Sequence, residues 1–287
     1  MIKSMKMSRI ISRTVIYAIF VIISIITLFP IVYTIVSSFK SNMEIMAYPD
    51  RFWVEKPTFD NYIQAWNSDN FQVGRMFFNS MWFTVLSVII SLFISTVSGY
   101  VYERGNFKLK KPLYALFLSL MFISLGSITI YPKFEILSHL RLNKSLFGLL
   151  FMNCFAMPIV HVVLVRSFIA TLPKELDESA LIDGCSFTGI FFKIILPLLK
   201  PIVATLGVLS FQSSWNNYLM PTLFTMSNPK QQTLIVGIVA LKNSGEGASS
   251  WNLMFAGTVI ALLPVLIVYA IGNKYFTDGI TAGAVKG

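Results

Sequence analysis

The sequence predicts an all-α integral membrane protein with six membrane-crossing helices, and three observations lead there. Hydrophobic residues fill 55% of the 287 positions and charged residues only 13%, against about 25% charged in soluble domains. The mean hydropathy is +0.69. Six windows hold no Asp, Glu, Lys or Arg: 14–39, 76–102, 112–132, 145–165, 201–229 and 251–273. Each has at least 21 residues, and about 20 apolar residues suffice to cross a bilayer core. A helix satisfies its own backbone hydrogen bonds in lipid, so helices are the expected form of each crossing.

The first span, at about 14–39, follows the basic leader "MIKSMKMSRIISR". It is too long for a signal-peptide core, and no small-residue cleavage site follows, so it reads as retained. Segment 40–75 contains "PTFDNYIQAW", enough for a short surface helix and without catalytic character. The second span, 76–102, leads into the basic loop 103–111, and the third covers 112–132. Connection 133–144 is amphipathic, with Ile136, Leu137 and Leu140 at helical spacing, and reads as an interfacial helix. The fourth span is 145–165, the fifth 201–225 and the sixth 251–273, with a loop at 171–200 between the fourth and fifth. Connection 230–250 is glycine-rich at "NSGEGASS", and the chain ends in "NKYFTDGITAGAVKG". No repeat or low-complexity tract divides it, so residues 1–287 read as one membrane domain.

Six crossings place both termini on one side. With the N-terminus inside, 14 of the 23 Lys and Arg residues fall on inner segments, most densely in the leader and in "ERGNFKLKKP". The positive-inside rule therefore sets both termini in the cytoplasm. The net charge of +10 reflects topology and attraction to anionic lipid. No basic patch interleaved with aromatics points to nucleic acid. Cys154 in the fourth span and Cys185 in the inner loop lie on different parts of this topology, and both read as small apolar residues.

The loop at 171–200 departs from this greasy background. Thr171 and Pro173 resemble a helix start, and Glu175, Asp177 and Glu178 put negative charge at its positive end. Ser179 and Ala180 permit close approach, and Gly184 ends the helix where a left-handed residue is usual. Ser186 then caps a second helix, and Pro197 and Pro201 mark return to the membrane. The predicted unit is a helix–glycine–helix elbow, which taken alone is also compatible with a solvated acidic connector.

Spacing distinguishes the two readings. Glu178-Ser179-Ala180, then Gly184, then Ile194, then Leu196-Pro197 resembles the "EAA" loop of bacterial ABC importer permeases, with Ser179 as the one small-for-small departure. "PTFDNY", "SFQSSWNNYLMP" and the terminal "TAGAVKG" extend the resemblance over nearly the whole chain, to the carbohydrate-uptake branch and its shorter, maltose-type permease. The resemblance implies a bacterial cell-membrane location and a coupling helix that docks on an ATP-binding subunit through Glu178, Ser179, Ala180, Asp183, Gly184, Leu196 and Pro197. It also implies that the tail, including Gly279, Thr281, Gly283 and Lys286, reaches the ATPase dimer interface. The implied assembly is a heterodimer with a second homologous permease, a pair of ATP-binding subunits that use ATP and Mg, and an extracytoplasmic sugar-binding protein. This chain itself would hold no cofactor.

Absences agree with that division of labour. Gly184 and Gly189 have the glycine spacing of a phosphate loop, but Ile190 and Phe191 stand where it needs Lys and Ser or Thr. The spans carry no Asp, Glu or Lys for a proton or sodium relay. His139 and His161 have no metal-ligand neighbours at useful spacing, and His161 reads as a buried hydrogen-bonding residue.

The fifth span carries Ser210, Gln212, Ser213, Ser214, Trp215, Asn216, Asn217 and Tyr218. Polar groups at membrane depth face protein or water. Gln212, Ser213, Asn216 and Asn217 either line a sugar pathway, with Trp215 or Tyr218 offering a ring face, or bind neighbouring helices and the water interface together. The function expected is half of a translocation pathway for a sugar or oligosaccharide. The alternatives are the same machine importing glycerol phosphate or a polysaccharide fragment, and a channel or carrier working alone.

Overall fold

The computed structural model describes residues 2–67, 71–123, 126–243 and 250–284, and side chains within them except at 2–12, 127, 243 and 275–284. All regular elements among the described residues are helical: α1 Ile2–Ser37, α2 Asn42–Ala47, α3 Asp60–Asn67, α4 Val73–Arg104, α5 Lys110–Phe122, α6 Ile130–His139, α7 Leu146–Phe155, α8 Ile159–Ala170, α9 Glu175–Ile182, α10 Phe187–Ile190, α11 Leu196–Leu198, α12 Lys200–Trp215, α13 Leu219–Thr225, α14 Leu234–Asn243 and α15 Trp251–Ala284.

Three stretches are long and apolar enough to cross a membrane alone: Arg13–Ser37, Val73–Arg104 and Trp251–Lys274. Two bent pairs raise the number to five. One is α7 with α8, bent by 44°, where Pro158 offers no N–H and disfavours helix in the residue before it. The other is Phe187–Leu198 with α12, bent by 77°.

Three expected spans are thus broken, 145–165 at Pro158 and two others. The window at 112–132 contains α5, whose 13 residues rise about 20 Å, short of a hydrocarbon core about 30 Å thick. Helix ends there because Ile123 turns extended and Gly126 takes a left-handed φ of +47°. The window at 201–225 is split into α12 and α13 by residues 216–218. Counting charges misses all three breaks, since they are backbone events.

The chain forms two compact units, Met1–Gly74 with Ile238–Ala261, and Arg75–Gly237 with Leu262–Gly287. In the first, the motif "PTFDNY" is structural. Asn61 is buried, and its amide donates to the carbonyls of Ser38 and Lys40, each at 2.8 Å. Its side-chain oxygen accepts from the Asn252 amide at 2.7 Å. One side chain thereby ties the end of α1 to α3 and α15.

The second unit is built along α4. Toward its C-terminal end, Tyr100 packs in a core with Val165, Ile169, Ala180, Ile190, Phe191, Ile195, Leu199 and Leu206. Nearer its start, Phe83 packs with Leu137, Leu146, Leu149, Leu150 and Phe224. Backbones approach closely at Gly99, where an added Cβ would lie 2.6 Å from Val165 Cγ1 and 3.1 Å from the Arg166 nitrogen.

Candidate functional site

In the loop at 171–200, α9 is followed by a left-handed Gly184 and then by α10. Three acids in the first turn of α9, Glu175, Asp177 and Glu178, face the positive end of the helix. At the other end Gly184 adopts φ +79°. Its N–H donates to Leu181 O at 3.0 Å and the Cys185 N–H to Ala180 O at 2.9 Å, the paired closing bonds of a Schellman terminus. Ser186 Oγ then accepts from the Gly189 N–H at 3.1 Å, which starts α10 as expected of a cap. A π-helical turn over Phe191–Ile195 carries the chain into α11.

Glu178, Ser179, Asp183, Gly184 and Pro197 are exposed, and Leu196 is half-buried. Ala180 differs: it is 4% exposed and lies in the core beside Tyr100. Its small size serves the approach of α9 to this chain's own helices, and it presents no surface to a partner. The outward apolar surface comes from residues the motif does not single out, Leu181 at 58% and Ile182 at 87% exposure. Two adjacent apolar residues before a terminating glycine were the available signal.

The elbow is also clamped. Arg104, the last residue of α4, donates through Nη2 to Leu172 O at 2.8 Å, and its Nε lies 2.8 Å from Asp177 Oδ2 on α9. The two side chains are 7% and 14% exposed. The N–H is not aimed along this contact, and neither Asp177 oxygen accepts a hydrogen bond from the described residues, so charge rather than an aligned hydrogen bond holds the pair. Beside it Glu103 accepts from Arg166 Nε at 2.9 Å, and the Arg166 guanidinium sits 3.9 Å from the Tyr114 ring centroid. The Tyr100 hydroxyl donates to Phe187 O at 3.2 Å. In sequence these charges read only as topology signals.

Part of the polar run in α12 faces a cavity. Ser210, Ser213 and Ser214 line a cleft of about 270 Å³ with Ser87, Ser91 and His161. Ser213, Ser214 and Asn217 line a second, of about 230 Å³, with Lys133 and Met220. Asn153 is common to both and donates to Ser87 Oγ at 3.2 Å. His161 Nδ1 lies 3.4 Å from Ser91 Oγ, so this histidine belongs to the cavity wall. Gln212, Asn216 and Tyr218 line neither cleft. Trp215 lines neither cleft: it is 1% exposed, stacked on Phe211 at 5.6 Å and edge-on to Phe77 at 5.8 Å.

Gly279, Thr281 and Gly283 fall within the backbone of α15, whereas Lys286 lies outside the described residues. Among the described residues no group of three or more His, Cys, Asp and Glu is placed to hold a metal ion.

Comparison with known proteins places this geometry. Residues 105–281 match the family described as "Binding-protein-dependent transport system inner membrane component". The sulfoquinovosyl glycerol transport system permease protein SmoH of Agrobacterium fabrum is 32% identical over 91% of this chain and 89% of its own length. The arabinooligosaccharides transport system permease protein AraQ of Bacillus subtilis is 31% identical over 93% and 94%. A chain of a bacterial ABC transporter involved in import of the acidic polysaccharide alginate shares the fold, with TM-score 0.79, 24% identity and coverage of 93% of this chain and 96% of that one. From the matched residues and these full-length relatives, the chain belongs to the binding-protein-dependent transport system inner membrane components, the permeases of ABC importers.

Proposed function

We propose that this chain forms half of the translocation pathway of an ATP-driven sugar or oligosaccharide importer and couples to its ATPase through α9. Membership of the family makes it a non-catalytic permease subunit in a bacterial membrane. The finer reading is six crossings in one membrane domain, with both termini cytoplasmic. Its partners are a second homologous permease, a pair of ATP-binding subunits that use ATP and Mg, and an extracytoplasmic sugar-binding protein. The tail, 279–287, reaches toward the ATPase dimer interface. Relatives named for sulfoquinovosyl glycerol, arabinooligosaccharides and melibiose, raffinose and stachyose support a carbohydrate cargo.

The carrying observation is the elbow: a short helix with Leu181 and Ile182 exposed at its tip and its base joined to α4 by a buried ion pair. The exposed tip suits docking, and the clamped base passes displacement on, because packed elements shift between discrete arrangements. Purification of the tagged chain from its native cell in mild detergent tests this. The expected result is co-purification of an ATP-binding subunit and a second permease, with ATP hydrolysis stimulated by a sugar-loaded binding protein. Recovery of the folded chain alone would overturn the importer reading in favour of a stand-alone channel or carrier.

A further inference from the structure

We propose that the polar cavity takes a negatively charged sugar, one bearing a carboxylate, sulfonate or phosphate, and that Lys133 reads that charge. The inference rests on the importer reading above and deepens it.

Lys133 projects from α6 into the wall of the 230 Å³ cleft, beside Asn153, Ser213, Ser214 and Asn217. It is half-buried. Among the described residues no carboxylate lies within ion-pair distance of it, and neither cleft has an Asp or Glu in its lining. The two clefts share Asn153, Ser213 and Ser214, so hydroxyls and amides run from Lys133 to Ser210 and His161. The Ser210 hydroxyl at the far end is buried and has no hydrogen-bond partner among the described residues.

Such a lining is rich in donors. The ammonium offers only donors, the amides and hydroxyls both donate and accept, and no carboxylate is present to balance the ammonium charge. A neutral oligosaccharide would fill the hydroxyl and amide positions and leave the ammonium without a counter-charge in the cleft. An anionic oxygen satisfies it. Lysine is a compact point charge on a flexible stem, without the bidentate fork of arginine. It therefore holds an anion by one charge-assisted contact and releases it, as a residue along a pathway must.

The test is uptake by the complete transporter in proteoliposomes with its binding protein, supplied with uronate-bearing or sulfonated oligosaccharides and with neutral ones of the same length. The wild type is expected to take up an acidic sugar. Lys133→Gln should lower that uptake about tenfold, the scale of one charge-assisted hydrogen bond, and should lower uptake of a neutral sugar by a distinctly smaller factor. Lys133→Arg should restore most of the acidic uptake. Uptake of neutral sugars only by the wild type would overturn the proposal and leave the importer reading standing. Equal loss for both classes, varying with the anionic lipid content of the vesicle, would assign Lys133 to a lipid phosphate and overturn it too. No stimulation of ATP hydrolysis by any sugar would overturn the importer reading itself, and this proposal with it.

Discussion

Gly184 shows how one backbone torsion separates folding from docking. Its φ is +79°, and an added Cβ would meet nothing within 4 Å, so substitution meets conformational strain and no clash. Gly184→Ala should therefore cost about 1–2 kcal/mol and retain transport. Gly184→Asp adds a charge to an exposed surface and is expected to lower uptake at least about tenfold with insertion unchanged, as is Ile182→Asp, whose 87% exposure leaves folding within about 0.5 kcal/mol. Radiolabelled-sugar uptake beside a membrane-fraction immunoblot distinguishes loss of docking from loss of protein; wild-type uptake in both Asp variants would remove α9 from the coupling path. At this scale motif spacing predicted the left-handed glycine and the Ser186 cap, because each is a local backbone requirement with a known residue preference. It does not reveal the packing of Trp215 and Ala180, whose neighbours Phe77 and Tyr100 are distant in sequence. A side chain's type does not say which surface it faces.

Between elements, the junction of α4 with α9 has the largest consequence. Arg104 and Asp177 are 73 positions apart and nearly buried, so the desolvation penalty is offset only while both charges are present. Arg104→Met should destabilise the transporter by about 3 kcal/mol or more by stranding Asp177. The double variant Arg104→Met, Asp177→Leu should recover most of that stability. Coupling is where the double variant should still fail: basal ATP hydrolysis persists and sugar stimulation falls, since an apolar pair slides where an ion pair holds register. Thermal unfolding and stimulated hydrolysis on the four members of the cycle decide it, and full stimulation in the double variant would make the pair merely structural. No sequence signal pairs these residues. The breaks were hidden for a related reason, although Pro158 stood in plain view inside a charge-free window. Apolar composition reports which solvent a segment tolerates, whereas continuity of its helix depends on single residues.

For the whole molecule, the apolar stretch of α1 stands apart. None of the Arg13–Ser37 span's apolar window is buried by the rest of the chain, against 33% for α4 and 28% for α15. Lipid alone gives a helix little reason to stay against its neighbours, and association in membranes comes from packing and hydrogen bonds. In the proposed heterodimer the face of α1 is therefore the candidate surface for the second permease. Co-expression with the partner permease should protect this stretch from proteolysis and raise the midpoint of thermal unfolding, and an unchanged digestion pattern would leave α1 to lipid. The general architecture was legible because charge-free windows of this length suit a bilayer and little else, while surface offered to a second chain leaves no mark that lipid-facing surface lacks.

The kinematics of the larger unit follow from the bend at Pro158. Below it, α8 is locked to α4 at Gly99 and, through Arg104, to the elbow. Above it, α7 carries Asn153 on the cavity wall. A second discontinuity, at residues 216–218, separates Ser213 and Ser214 on α12 from Met220 on α13. The larger unit therefore has two helix breaks beside its polar clefts, one at Pro158 and one at residues 216–218. On the proposed coupling through α9, those breaks are where a displacement of the elbow is expected to be taken up, next to the residues that line the clefts.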